Sequence, residues 1–257
     1  MKIATWNVNS VRQRTEHLVR YLRDAKPDVL CLQELKCVDA AFPYMEVEAE
    51  GYNAAVHGQK GFNGVAILAK APIEATRGLP GDPGDEQARY IEAVVPNGDG
   101  IVRVASIYLP NGNPPQTEKY SYKLAFMDRL IAHAKDLLAL EETLVLAGDY
   151  NVIPTPRDCT DPAAWEGDAL FLPDTRARFR SLLNLGLIDA LRATTDDSLY
   201  TFWDYQAGAW QRNKGIRIDH HLLSPRAADR LVEVAIDKER RGEERPSDHV
   251  PVEITLA

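Results

Sequence analysis

The chain has few cysteines and no long apolar run. Its 257 residues include three cysteines, Cys31, Cys37 and Cys159, with no Cys-x-x-Cys spacing and no nearby histidine. This pattern argues against a disulfide framework and against a zinc site. No apolar run approaches the roughly 20 residues that span a bilayer, and the amino end enters a strand-like segment without the apolar region of a signal peptide. We therefore expect a cytoplasmic protein with no membrane segment.

Basic residues are also in the minority. Thirty Lys and Arg residues against 38 Asp and Glu residues give a net charge of −8, which by itself disfavours non-specific binding to polyanions. The charge is uneven, however, because residues 205–218 contain no acidic side chain, and Arg212, Lys214 and Arg217 accompany Trp210 there. This stretch can meet a phosphate backbone, especially if Mg²⁺ offsets part of the carboxylate excess. A solvated loop is the alternative.

Apolar patterning predicts an α/β protein. Helical spacing marks residues 11–22, after a Ser10-x-x-Gln13 capping box, and also 117–139 and 174–186. Strand-like segments are 2–7, 28–32, 52–57, 64–69, 90–95, 101–109, 143–149, 218–223 and 250–256. We expect one domain over residues 1–257, with two packed mixed β-sheets and helices on the outside.

The most informative segment runs from Leu144 to Asn151. An apolar, strand-like run is followed directly by Asp149-Tyr150-Asn151. Ligands of open α/β sheets bind at the carboxyl ends of strands. Side chains alternate along an extended chain, so Asp149 and Asn151 are expected to present a carboxylate and an amide to one site.

Other polar residues stand where apolar runs stop. A single strand-end carboxylate is more often a turn residue or a helix cap, but several such sites with complementary chemistry favour a catalytic centre. Glu34 with amide neighbours suits Mg²⁺, which uses one or two carboxylates and keeps several waters. His249 is either a hydrogen-bonded structural histidine or a cationic imidazole paired with Asp219 and directed at a phosphate. The strand-end residues are Asn7, Asn9, Gln33, Glu34, Asn111, Asp149, Asn151, Asp219, Asp248 and His249.

Seven short blocks containing these residues occur in a recognisable order. They are TWNVN (5–9), LQELK (32–36), GFNGVA (61–66), IYLPNG (107–112), GDYN (148–151), RID (217–219) and SDH (247–249). Together they resemble the exonuclease III family of DNA-repair nucleases, part of the endonuclease/exonuclease/phosphatase superfamily. The resemblance implies a four-layered α/β sandwich, in agreement with the patterning.

The resemblance also implies an activity. Family members hydrolyse phosphodiester bonds of double-stranded DNA with Mg²⁺, for which Mn²⁺ can substitute. They cut 5′ to abasic sites in base excision repair, remove blocking groups from 3′ ends, and degrade duplex DNA from the 3′ end. Duplex DNA is then the expected partner. A monomer is expected because no heptad pattern or unassigned apolar stripe is present.

Residue roles follow from the same resemblance. Glu34 resembles the principal metal ligand, and Asn7, Asp248 and Asn9 lie near it in the family pattern. Asn9 departs from members that have Asp there, which puts a second metal position in doubt.

The reacting groups are carried over in the same way. Asp149 and Asn151 resemble the pair that activates and orients the attacking water, and His249, supported by Asp219, resembles the contact to the scissile phosphate. Tyr108 and Asn111 line the pocket. Asp149 is the favoured general base, with His249 and an ionised Tyr108 as alternatives.

Further residues are expected to bind the substrate. Phe202, Trp203 and Ile218 resemble an apolar pocket for a sugar that lacks its base, although core packing is an alternative for Phe202 and Trp203. Basic residues are candidates for phosphate contacts, which position DNA without reading its sequence. These are Arg12, Lys36, Arg89, Lys123, Arg212, Lys214 and Arg217.

Two other functions compete with this interpretation. Another hydrolase of the superfamily, such as a DNase I-like nuclease or a phosphoester phosphatase, commonly has a second catalytic histidine in a Thr-His-Leu-like segment. This chain has Ile107-Tyr108-Leu109-Pro110-Asn111 there instead. A non-catalytic binding protein on the same fold is disfavoured because Glu34, Asp149, Asn151 and His249 are all present.

Overall fold

The computed structural model describes residues 1–98 and 100–257. Within them the α-helices are α1 (Thr15–Ala25), α2 (Tyr44–Ala49), α3 (Glu118–Leu138), α4 (Pro173–Asn184), α5 (Ala190–Thr194) and α6 (Pro225–Ala228). The strands are β1 (Lys2–Asn7), β2 (Val29–Gln33), β3 (Asn53–His57), β4 (Val65–Ala69), β5 (Glu74–Arg77), β6 (Tyr90–Asn97), β7 (Gly100–Tyr108), β8 (Thr143–Asp149), β9 (Ile188–Asp189), β10 (Asp219–Leu223), β11 (Leu231–Ile236) and β12 (Val252–Leu256).

The strands form two six-stranded mixed sheets over the described ranges. The first sheet has the order β11-β12-β1-β2-β4-β3, and the second has the order β5-β6-β7-β8-β10-β9. One parallel pair lies at the centre of each sheet, β1 with β2 and β7 with β8. Because parallel strands end at the same edge, each sheet presents two neighbouring carboxyl ends.

The main apolar core lies between the sheets. Ile3, Val29 and Ile67 of the first sheet share one buried cluster with Val104 and Val145 of the second. The opposite faces are covered by helices: residues of α1 pack with the first sheet, and those of α3 and α4 pack with the second. The expected sandwich of two mixed sheets flanked by helices is therefore confirmed.

Burial on both faces explains why the central strands were predictable. All five residues of β2 and of β4 are buried, and such strands have nearly continuous apolar sequences. The three strands that patterning missed lie at edges of the sheets. All four residues of β5 are exposed and β9 has only two residues, so neither has an apolar run. β11 has the largely apolar sequence LVEVAI, although three of its six residues are exposed, and patterning missed it as well.

The helix starts differ from expectation. Ser10 has φ +85° and its side chain caps nothing, because a 3-10 turn over Val11–Gln13 comes first and α1 begins at Thr15. Likewise, Asp174 does not cap α4 but lies in its first turn, after Pro173, where a carboxylate still favours the helix dipole. Of the helices described, none combines the length and apolar character needed to cross a membrane.

Gly148 allows β8 to lie close to β7, one residue before Asp149. It pairs with Ile107 of β7 and with His220 of β10, and its φ is +151°. A Cβ atom at this position would lie 2.0 Å from the carbonyl oxygen of Ile107. No residue with a side chain can occupy this place without moving a strand.

We expect Gly148→Ala to lower the free energy of unfolding by roughly 2–5 kcal/mol, from the clash and the backbone strain together. Urea denaturation measures the change. Gly84→Ala is the matched control because its Cβ would meet its nearest neighbour at 3.4 Å, so a change within about 1 kcal/mol is expected. Equal effects at the two positions would contradict the close approach.

Candidate active site

The carboxyl ends of the central strands from both sheets meet at one edge of the sandwich. Asn7 ends β1, Glu34 follows β2, and Asp149 ends β8. Glu34 and Asn151 have left-handed backbones, with φ of +54° and +47°. Such conformations are uncommon for residues other than glycine and are frequent where side chains are held for function.

A buried polar link joins the sheets directly beneath this edge. The amide of Gln33 donates to the hydroxyl oxygens of Thr5 and Ser106, each at 3.0 Å. The Ser106 hydroxyl in turn donates to the carbonyl of Leu32 at 2.9 Å. These bonds cross from β2 to β7, so they hold the two sheets in one register where the strand ends converge.

Asn7 connects the acidic groups of the two sheets. Its Nδ2 donates to Glu34 Oε1 and to Asp149 Oδ2, both at 2.9 Å. Asn7 and Asp149 are buried, and Glu34 is partly buried. One amide thus sets the spacing between two carboxylates that are distant in sequence.

Asn151 lies beside Asp149, but β8 ends at Asp149 and Asn151 has a left-handed backbone, so extended alternation is not what places the two side chains together. Its backbone N–H donates to Asp149 Oδ1 at 2.9 Å, and its Nδ2 donates to the carbonyl of Leu109 at 2.9 Å. Its Oδ1 accepts from Asn111 Nδ2 at 3.2 Å. The segment after β7 and the segment after β8 are therefore held together by side-chain amides.

His249 faces two carboxylates. Its Nδ1 donates to Asp219 Oδ2 at 2.9 Å, and its Nε2 lies 3.7 Å from Asp149 Oδ2. The Thr201 hydroxyl donates to Asp219 Oδ2 at 2.6 Å, which fixes that carboxylate. The Phe202 ring packs edge-on against the imidazole, with centroids 5.0 Å apart.

The pKa values of Asp149 and His249 are both raised from their usual values. Burial raises the pKa of Asp149, and the Asp219 carboxylate adds to the rise, although His249 opposes it. Burial alone would lower the pKa of His249, but Asp219 and Asp149 outweigh it and raise that pKa. The imidazole is therefore cationic at neutral pH, beside a carboxylate with increased proton affinity.

Tyr108 is suited to donate a hydrogen bond rather than to act as a base. Burial raises its pKa well above the usual value, and the Glu34 and Asp149 carboxylates raise it further. The phenol therefore keeps its proton at neutral pH, which disfavours the alternative of an ionised Tyr108. The Arg89 guanidinium lies over the same ring, 4.9 Å from its centroid.

The carboxylates lie close enough to hold a cation. Ligand atoms of Glu34, Asp149 and His249 lie within 4.8 Å of one another. His249 is the poorest metal ligand of the three, because its imidazole is cationic and is hydrogen-bonded to Asp219. Burial would raise the pKa of Glu34, but Lys36 and the Asn7 amide outweigh it and lower that pKa, so Glu34 offers an ionised oxygen ligand.

Asn9 and Asp248 lie at the side of this carboxylate pair. Asn9 Nδ2 donates to Asp248 Oδ1 at 3.0 Å, and Asn9 Oδ1 accepts from Lys36 Nζ at 2.6 Å. Lys36 Nζ also lies 2.8 Å from Glu34 Oε2. The structure brings these predicted metal-site residues together, with an ammonium group among them.

The three expected apolar pocket residues are placed differently from one another. Phe202 is half-buried beside His249, and Ile218 is buried in the cluster against which Phe202 packs. Trp203 is 1% exposed, and its ring packs edge-on against Trp210 with centroids 5.1 Å apart. For Trp203 the core-packing alternative fits the structure. Neither Trp203 nor Ile218, which is 2% exposed, is placed for direct contact with a sugar.

Two predicted phosphate contacts are wrong because their side chains are buried. Arg217 is 1% exposed; its Nε donates to Asp158 Oδ1 at 2.6 Å and its Nη2 to Asp189 Oδ2 at 2.9 Å. Burial would raise the pKa of Asp158, but Arg217 outweighs it and lowers that pKa to about 2. Lys123 is also fully buried. The acidic partners of Arg217 are distant in sequence, so the local basic composition was misleading.

The remaining candidates for phosphate contacts are accessible. Lys36 and Arg89 are partly exposed at the rim of the site, and Arg12, Arg212 and Lys214 are exposed. Sequence reasoning missed Thr201, which fixes Asp219, and Ser106 beneath the strand ends. A lone Thr or Ser in an apolar segment carries no signal that separates it from ordinary core residues.

Comparison with known proteins places this arrangement among nucleases. Residues 4–249 match the model of the Endonuclease/Exonuclease/phosphatase family. Exodeoxyribonuclease III of Haemophilus influenzae is 34% identical, over 98% of this chain and 98% of that relative.

Two solved structures of relatives are similar to this chain over its whole length. The 3′ phosphatase NExo from Neisseria, bound to a product DNA hairpin, has a TM-score of 0.96 at 39% identity and covers 100% of this chain and 99% of its own. An AP endonuclease from Archaeoglobus fulgidus has a TM-score of 0.94 at 36% identity, with the same coverage.

We expect Arg217→Met to lower the free energy of unfolding by about 3–5 kcal/mol, because it leaves the buried Asp189 carboxylate without its cation and leaves Asp158 with Arg192 alone. Thermal and urea denaturation measure the loss. Arg157→Met is the control, since the Arg157–Asp196 pair is 63% and 88% exposed and its loss is expected to cost less than about 1 kcal/mol. Parental stability with weakened binding to duplex DNA would instead support a phosphate contact for Arg217.

Proposed function

The chain belongs to the Endonuclease/Exonuclease/phosphatase family, and we propose that it is a metal-dependent DNA-repair phosphodiesterase acting on duplex DNA. The observation that carries the proposal is the position of Asp149, between the Asn7 amide, the Asn151 segment and the His249 imidazole. This arrangement places a proton acceptor, a water-orienting amide and a cation around one point. Phosphoryl transfer needs such positioning and charge neutralisation more than covalent chemistry.

Each side chain has a role in this mechanism. Asp149 accepts the proton of the attacking water, and its raised pKa supports that role. Asn151 orients the water in line with the phosphorus atom. The His249 imidazolium, held by Asp219, and the Tyr108 phenol donate to the phosphate oxygens, where charge develops. Asn111 lines the same pocket.

We propose Mg²⁺ as the metal, with Mn²⁺ as a substitute. Glu34 would be its principal ligand, with Asn7 and Asp248 beside it, because hard cations take oxygen ligands. Bound Mg²⁺ supplies neutralisation of phosphate charge. Asn9 is already bonded to Asp248 and Lys36, which supports one metal position more than two.

The surroundings of the site support a DNA substrate. A cleft of about 730 Å³ opens beside Glu34 and is lined by Lys36, Arg89 and Tyr108 among others. Two cations next to the carboxylates suit a phosphate backbone. By analogy with the relatives, we propose incision 5′ to abasic sites, removal of 3′ blocking groups and 3′ to 5′ degradation. A monomeric state, a single domain and a cytoplasmic location stay predictions.

The direct test uses end-labelled duplexes with Mg²⁺: one with an abasic analogue, one with a 3′-blocked nick and one undamaged with a recessed 3′ end. We expect cleavage of at least one, none in EDTA, and a fall of about 100-fold or more in the single-turnover rate for Asp149→Asn and for His249→Ala. Asp196→Asn is the control, because that carboxylate is 88% exposed, and it should keep the parental rate.

Three results would contradict the proposal. They are undiminished cutting in EDTA, rates within tenfold of the parent for both active-site variants, or hydrolysis of inositol phosphates in preference to every duplex. The last result would favour a phosphatase of the same superfamily.

The Asp219 carboxylate also predicts a pH effect. Because Asp219 raises the pKa of His249, the imidazolium persists at low and neutral pH and is lost only as pH rises through that raised pKa. Asp219→Asn removes part of the rise, so we expect the alkaline fall in the single-turnover rate to move down by about one pH unit or more.

The profile is measured from about pH 6 to about pH 10.5, because the pKa of His249 is raised to about 10 and the alkaline limb of the parent lies around it. Glu141→Gln serves as control, since Glu141 is 80% exposed, and its profile should match the parent. A uniformly lower rate in Asp219→Asn with an unmoved alkaline limb would argue against an imidazolium role.

A further inference from the structure

Lys123 is a fully buried lysine that touches neither solvent nor the cleft. It lies in the second turn of α3, and its exposed fraction is 0%. Fully buried lysines are rare unless they are paired. Its position therefore needs an explanation other than a surface contact with DNA.

The ammonium group of Lys123 is satisfied by backbone carbonyls. Its Nζ donates to the oxygens of Pro110 and Asn111, each at 3.1 Å, and to that of Asn151 at 2.7 Å. A lysine has three N–H donors and no acceptor. The number of donors therefore equals the number of these acceptors.

These carbonyls come from two segments that carry proposed reacting groups. Pro110 and Asn111 follow β7, and Asn151 follows β8 two residues after Asp149. Gly112 packs against the lysine stem, since a Cβ there would lie 2.6 Å from Lys123 Cδ. The lysine thus fills the space behind both segments and leaves little room for either to move.

A cation at this position has a desolvation cost, and its hydrogen bonds to three carbonyls offset that cost. Burial lowers the pKa of Lys123 to about 7, against the opposing effect of Asp149 and Asp168, so the ammonium form is costly at this place. An apolar side chain of similar length would avoid that cost. The three carbonyls, however, would then be buried without a donor.

We propose that Lys123 is a positioning residue: its ammonium group locks the segments of Asn111 and Asn151 together, so that Asn151 holds the attacking water in line with the phosphate. The consequence for the reaction rests on the proposed function. The tether, by which we mean the three hydrogen bonds from Lys123 to the two segments, does not rest on the proposed function, because its contacts lie within the protein.

Lys123→Met tests the proposal because methionine is unbranched and of similar length but has no donor. We expect amide hydrogen exchange to increase in residues 109–113 and 150–153. We also expect the single-turnover rate to fall about 10- to 100-fold, since small misplacements of reacting groups have effects of this size. The Kd for duplex DNA, measured in EDTA, should stay within about threefold because Lys123 does not reach the surface.

Met127→Ala is the matched control. Met127 is buried on the same helix and belongs, with Phe126 and Leu130, to the apolar cluster that joins α3 and α4 to the second sheet. It should lower Tm by a comparable amount through a cavity, but it should keep the parental rate and the parental exchange in 109–113 and 150–153.

Lys123→Arg provides a second variant. Its planar guanidinium cannot direct three N–H groups to the same three carbonyls, so we expect a reduced rate with unchanged DNA affinity. If Lys123→Met does not fold, this variant decides the question alone, and a parental rate overturns the proposal.

The outcomes separate this proposal from the proposed function. Parental exchange and a rate within threefold of the parent in Lys123→Met overturn the positioning role, as does an equal loss of rate in Met127→Ala. If the parent cleaves no duplex but exchange increases in Lys123→Met as described, the tether stands and the proposed function fails.

Discussion

The structure depends on one amide placed between two carboxylates. Asn7 bonds both Glu34 of the first sheet and Asp149 of the second, and this is possible only if the sheets pack with their parallel strand ends at a common edge. Apolar residues between the sheets supply the driving force for that packing. The Gln33 link to Thr5 and Ser106 then sets the register, because buried polar groups must find partners.

Charges are buried in this protein for two different reasons. Around Arg217, two carboxylates and a guanidinium satisfy one another and join distant segments. Around Asp149, burial and the Asp219 carboxylate raise the pKa of Asp149, and one imidazolium faces two carboxylates, which raise the pKa of His249. Such pKa shifts in a buried place are typical of reactive sites. The Arg217 cluster and the Asp149 cluster both combine two carboxylates with a cation. They differ because His249 is hydrogen-bonded to Asp219 and lies 3.7 Å from Asp149, whereas both carboxylates around Arg217 are hydrogen-bonded to it.

Much of the fold and the site could be predicted because both depend on local patterns. Central strands are buried on both faces and appear as apolar runs. Of the edge strands that were missed, β5 is exposed along its whole length and β9 has only two residues, so neither produces such a run, whereas β11 was missed despite its apolar sequence. Strand-end residues such as Asp149 and Glu34 stood out as polar groups after apolar runs. Arg217 and Lys123 were misassigned because a basic side chain looks the same in sequence whether it meets a phosphate, a buried carboxylate as Arg217 does, or buried carbonyls as Lys123 does.

The sequence by itself determined the alternation of strands and helices, the two-sheet architecture, and the set of side chains able to do chemistry. These follow from periodicity and residue type, which are properties of short segments. Only the tertiary structure decided which charges meet. Asn7, Glu34, Asp149 and His249 are spread over nearly the whole chain, and their distances and pKa shifts result from the packing of the two sheets. The same packing buries the Lys123 side chain. This contact could not be predicted, because its partners are backbone carbonyls, which every residue has and no sequence pattern distinguishes.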